Sequence, residues 1–163
     1  MFGRAPRPDV FAMFISSPVR IDRHGHLEVF LRIVAANGGA VIADRPYLAI
    51  ELLDLQLQIF EITVTNPSDY VRRRGPLRSA SIVGNAGVVL APRASEELCT
   101  LIMKIPHSYP KDIRLECTIG AQGAAPRQFA LVATPATIAA AATRARAEDP
   151  TLVTTDVFTI ETD

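Results

Sequence analysis

Leu27-Glu-Val-Phe-Leu-Arg-Ile-Val-Ala-Ala-Asn37-Gly-Gly39, followed after Arg45-Pro46 by Tyr47-Leu-Ala-Ile-Glu-Leu52, carries the strongest pattern in the chain. Leu27, Val29, Leu31 and Ile33 form one wholly apolar face, while Glu28 and Arg32 put charge on the other. A period of two is the pattern of a half-buried strand. Asn37-Gly38-Gly39 supplies turn residues, and a second alternating strand opens at Tyr47. Two neighbouring strands of a β-sandwich are expected here.

Working outward, Asp9 to Ser16 reads as a first strand closed by Ser17-Pro18, and Asp22 to Gly25 as the turn into Leu27. Beyond Tyr47 the apolar parity runs even (Leu48, Ile50, Leu52), then odd (Leu53, Leu55, Leu57, Ile59), then even again (Phe60, Ile62, Val64). Each flip demands a bulge or bend, and Asp54 is the expected break. Tyr70 to Arg78, rich in arginine with Gly75 and Pro76, reads as a loop. Short strands at Ser79 to Val83 and Val88 to Ala91 flank Gly84-Asn85-Ala86-Gly87, a hairpin-like signal. Leu98 to Ile105, Ile113 to Ile119 and Gln128 to Ala133 complete a series of about eight strands, which argues an antiparallel two-sheet sandwich.

After Pro135 the pattern changes. Thr137 to Glu148 is an alanine-rich helix stopped by Asp149-Pro150, and Thr151 to Thr162 is a β-branched terminal strand. The expected organisation is a sandwich over residues 1–134 and, over 135–163, a helix plus strand packed on that domain or exchanged from it.

At 163 residues with 48% hydrophobic and 21% charged, the chain can bury a core and is no disordered tail. Seventeen basic against seventeen acidic residues remove any bulk electrostatic case for nucleic acid or an anionic membrane, and low net charge permits association with a partner or with itself. No run reaches the ~18–20 apolar residues of a membrane helix. The N-terminal Arg- and Pro-containing segment lacks a secretory pattern. Cys99 and Cys117 sit inside expected strands and read as buried thiols rather than a disulfide, so a cytoplasmic location is expected.

Motifs for chemistry are weak. Asp22-Arg23-His24-Gly25-His26 places two imidazoles on alternate positions, where both could meet one metal, with His107 or Glu97 as a distant further ligand. The plainer reading is a polar hairpin turn. Ser108 adjoins His107, but sequence neighbours on an extended segment point apart. Neither cysteine has a flanking cation to activate it. Gly84-Asn85-Ala86-Gly87 lacks the lysine and hydroxyl of a phosphate cradle. Glu96 and Glu97 read as one solvated and one capping carboxylate. Arg72, Arg73, Arg74 and Arg78, with Tyr70, make the one cationic cluster, able to neutralise phosphates or to pair with Asp69, Glu61 or carboxylates of another domain.

The order strand, Asn-Gly-Gly, Val41-Ile42-Ala43, then Pro46-Tyr47-Leu48-Ala49-Ile50-Glu51 resembles an immunoglobulin-like β-sandwich accessory domain. It is similar in particular to the sandwich that follows the nucleic-acid-binding region of bacterial Schlafen/AlbA-type proteins, and Lys111 to Leu115 resembles its later strand pair. The resemblance implies an interaction or scaffolding role in a larger bacterial assembly. It brings no catalytic residues and no cofactor.

The preferred expectation is thus a non-catalytic interaction module using a sheet edge, the Tyr70–Arg78 loop or the Ala-rich helix, with another protein or domain, or a second copy in a homo-oligomer, as partner. The alternatives are a metal-dependent hydrolase built on Asp22, His24, His26 and His107, or a nucleic-acid contact through the Arg72–Arg74 loop.

Overall fold

Where apolar residues alternate, the chain pairs antiparallel into two sheets; the computed structural model describes residues 6–15, 17–53, 57, 59–74, 79–106, 108–149 and 151–162. The chain opens with β1 (Val10–Ile15), β2 (Ser17–Ile21), β3 (Leu27–Asn37), β4 (Ala43–Leu52) and β5 (Ile59–Val64). It continues with β6 (Tyr70–Arg74), β7 (Ser79–Gly84), β8 (Val89–Leu90), β9 (Ser95–Ile105), β10 (Ile113–Gln122) and β11 (Arg127–Ala133). Helix α1 (Pro135–Ala147) precedes β12 (Val153–Thr155) and β13 (Thr159–Thr162).

The first sheet runs β12-β2-β3-β9-β5, with β1 also on β3; the second runs β13-β11-β10-β4-β7-β6, with β8 also on β4. Reading β1 with β2 as A, then β3, β4, β5, β9, β10 and β11 as B to G, the sheets carry A-B-E-D and C-F-G, the order of an immunoglobulin-type sandwich. Strands β7 and β6 widen the second sheet beyond C. The structure is an all-β sandwich with a C-terminal helix and terminal strands. Its inner faces, among them Leu31, Ile33, Leu48, Ile82, Leu101 and Leu115, form one hydrophobic cluster.

Thirteen strands are described rather than about eight and a terminal one. Among the strands beyond that expectation are Ser17–Ile21, Tyr70–Arg74 and the second piece of the divided terminal strand. Strands β1 and β2 pair with successive stretches of β3, the first as far as Ile15↔Arg32 and the second from Val19↔Val29. The break expected at Asp54 lies outside the described residues, but β4 ends in one sheet at Leu52 and β5 starts in the other.

Strand β4 begins at Ala43, four residues before Tyr47, and runs through Pro46. A proline in a central strand normally breaks the ladder. Here both neighbours are irregular beside it: β10 shifts register between Gly120 and Gln122, and on the other edge β7 gives way to β8. Arg45 takes φ 51°, its N–H donating to the Val88 carbonyl at 2.8 Å. Gly84 to Val88 is therefore an excursion along the edge of β4, and not a hairpin, since β7 and β8 pair with β4 and not with each other.

Asn37 ends β3 as a buried cross-link. Its Oδ1 accepts from Asp9 N at 3.2 Å and Gly39 N at 3.0 Å, and its Nδ2 donates to the carbonyls of Val41 at 2.8 Å and Leu90 at 3.0 Å. All four bonds of a side-chain amide are made, which removes the penalty for burying it.

The segment after β11 closes one flank. Thr134 caps α1 reciprocally with Thr137, Pro135 stands in the first turn, and Arg144 and Arg146 face the carbonyl end. Ile138, Ala141, Ala142 and Ala145, spaced i, i+3, i+4, i+7, are the buried stripe. Strand β12 then pairs with β2 and β13 with β11, so each sheet gains one strand on the same flank. Val157 and Phe158, at 0% and 1% exposure, fill the passage between them. Among the described residues no helix is long and apolar enough to cross a membrane.

Candidate functional site

Asp22 begins the tight turn between β2 and β3 and spends its carboxylate there. Its Oδ1 accepts from His24 N at 2.8 Å and His26 N at 2.9 Å. Its Oδ2 lies 3.5 Å from Lys104 Nζ and 3.9 Å from His26 Nδ1. Burial alone would raise this carboxyl's pKa; the His26 and His24 N–H groups and the Lys104 ammonium outweigh it and hold the pKa below its ordinary value. The His24 and His26 rings stand 6.4 Å apart. An ammonium beside the one carboxylate opposes a bound cation, and among the described residues no three His, Cys, Asp or Glu side chains converge. His107 lies outside the described residues.

The thiols of Cys99 on β9 and Cys117 on β10 are free and buried. Burial, then the Glu97 carboxylate, pushes Cys99 up to about 12. Burial, then Cys99 and Glu116, does the same for Cys117, also to about 12. Neither is a nucleophile at neutral pH. Glu96 and Glu97 part company: Glu96 Oε2 accepts from the Tyr70 hydroxyl at 2.9 Å, while Glu97 binds Arg32 Nε at 2.6 Å.

The arginine cluster is not on a loop. Tyr70 to Arg74 is strand β6, paired with β7 in the register Tyr70↔Gly84, Arg72↔Ile82, Arg73↔Ser81 and Arg74↔Ala80. Three consecutive cations suggest a solvated loop, yet an edge strand tolerates them because both its faces meet water at the rim. Alternation splits the cluster. Tyr70 is 2% exposed and points inward, its hydroxyl tied to Glu96 on the opposite sheet. Burial first, then the Glu96 carboxylate, holds the phenol well above its usual range. Tyr70 is therefore a tie between sheets and no contact residue. Arg72, on the same side as Tyr70, reaches across to the Ile62 carbonyl on β5 at 3.0 Å. Arg73 falls on the outer face. Arg78 lies outside the described residues.

Arg73 ends a row of directly opposed residues running Gln128, Thr118, Ala49, Ser81, Arg73 across five strands of the second sheet. Small side chains make this row the floor of an open trough of about 560 Å³, with Arg73 and Arg74 at one end and Glu51 and Glu116 on the rim. Glu116 is neutralised by Arg114 Nε at 2.5 Å, and Arg114 also holds Glu161 at 2.8 Å. Arg72, Arg73 and Arg74 are all exposed, and among the described residues no carboxylate lies within 4.0 Å of any of them. Among the described residues strand β6 pairs with β7 alone, and no strand lies on its far edge beside the three arginines. No signal in the sequence placed the trough, because its floor is made of ordinary Ala, Ser and Thr from separate strands.

No protein-family model and no curated protein matches this sequence.

Proposed function

We propose that the protein is a non-catalytic interaction module, an accessory subunit or domain, that docks another protein along the β6 margin of its second sheet. The observation that carries this reading is the run of three exposed arginines, without carboxylate partners among the described residues, on a strand paired on one side only. An edge strand of this kind offers main-chain hydrogen bonds for affinity and side-chain charge for selectivity. The buried thiols and Asp22, whose Oδ1 accepts two backbone N–H bonds, support the same reading, since these candidate groups are engaged structurally. Accessory scaffolding also agrees with the role implied by the immunoglobulin-like resemblance.

Affinity capture with the wild-type chain and with the R72E/R73E/R74E variant tests it. A protein retained by the wild type and lost on a variant that still unfolds cooperatively is the expected result. Identical captured proteins on both chains would overturn the docking edge.

A further inference from the structure

Building on that docking edge, we infer that the partner contributes an extended segment of three consecutive acidic residues followed by an apolar one, added antiparallel to β6. Every strand pairing described in both sheets is antiparallel, so the added strand continues the existing pattern. In that orientation the partner's N-to-C order meets Arg74, Arg73, Arg72 and Val71 in turn. Acids opposite Arg74 and Arg72 lie on the inner-side rim, and an acid opposite Arg73 extends the row of Ser81, Ala49 and Thr118 on the outer face. Val71, 41% exposed and opposite Val83, takes the apolar residue.

The same charges argue against the other occupants. A second copy pairing through β6 sets arginine against arginine, and like charges directly opposed destabilise a strand pair. A nucleic-acid backbone would gain three cations but run against Glu51 on the rim of the adjoining trough. An extended acidic peptide matches the arginines and pairs with the β6 backbone together.

The full chain is titrated with the synthetic peptide Thr-Glu-Glu-Glu-Val-Thr, with its Gln-Gln-Gln and Lys-Lys-Lys counterparts, and with a single-stranded oligonucleotide. The acidic peptide is expected to bind, to weaken as salt rises, and to slow amide exchange in 71–74. Each single Arg→Gln change should weaken it about two- to fivefold. The R72E/R73E/R74E variant should lose the glutamate peptide and gain the lysine peptide, a gain that misfolding cannot mimic. Equal binding of the glutamine and glutamate peptides overturns the inference. So does oligonucleotide binding that depends on these arginines when the acidic peptide fails to bind. If the peptide fails while a captured protein is still lost on charge reversal, the acidic partner falls and the docking edge stands.

Discussion

The two flanks of the sandwich are finished differently. On one, α1, β12 and β13 add a strand to each sheet and seal the gap with Ile138, Val157 and Phe158, all at 1% exposure or less. On the other, β5 and β6 are held across the gap by polar ties, Tyr70 to Glu96 and Arg72 to the Ile62 carbonyl. Apolar closure removes sheet margin from solvent and stabilises in proportion to buried area. Polar closure leaves a margin in water, with cations along a strand that pairs on one side among the described residues. The first flank serves stability, and the second carries the docking edge proposed above.

The largest expected effect breaks the sealed flank. Phe158→Ala empties a fully buried site where both terminal strands meet the core, and should cost about 3–5 kcal/mol. Calorimetry should show Tm falling on the order of 10 °C. A drop of only a degree or two would mean that the C-terminal segment adds little to the sandwich it covers.

Tyr70→Phe tests the open flank. The variant keeps the buried ring and deletes one hydroxyl bonded to a carboxylate, an interaction worth about 1.5–3 kcal/mol. Denaturant unfolding should register that loss with an unchanged slope. A neutral result would show that this flank is not tied through Glu96.

Much of this contrast could be read from the residues, and the unread part has a physical cause. Alternation in Leu27 to Ile33 and in Ile113 to Ile119 reports burial on one face, and both strands bury those residues. The amphipathic alanine stripe likewise became α1. Pairing partners are another matter. Whether Thr151 to Thr162 joins one sheet or crosses between two depends on contacts distant in sequence, and the crossing at Val157 and Phe158 leaves no local mark. Arg72-Arg73-Arg74 reads as a loop because strand propensity penalises charge, while an edge position relieves that penalty. Asn37 reads as a turn residue and is also a buried knot, since its partners at Asp9 and Leu90 come from distant positions.

Asp22 supplies a polar tie near the sealed flank, through β2 and the Lys104 of β9. Its folded pKa is depressed below the unfolded value. Its contribution is therefore present above the unfolded pKa and lost as pH falls through the folded one. Asparagine can still accept the two backbone N–H bonds, so Asp22→Asn removes the charge while keeping the turn. The Tm difference between wild type and variant should be largest near pH 6 and shrink toward pH 3. A difference constant across that range would assign the turn's stability to hydrogen bonding alone.

The smallest expected effect on stability sharpens the comparison most. Arg73 is exposed, has no carboxylate within reach among the described residues, and sits at the end of a row whose other members pack without it. Arg73→Gln should leave unfolding within about 0.5 kcal/mol of wild type. A side chain that stabilises the fold so little, on a strand that already carries Arg72 and Arg74, is free to serve binding. If Arg73→Gln instead lowers Tm as much as Tyr70→Phe, the guanidinium is a structural part of the β6 margin, and both flanks are then finished for stability.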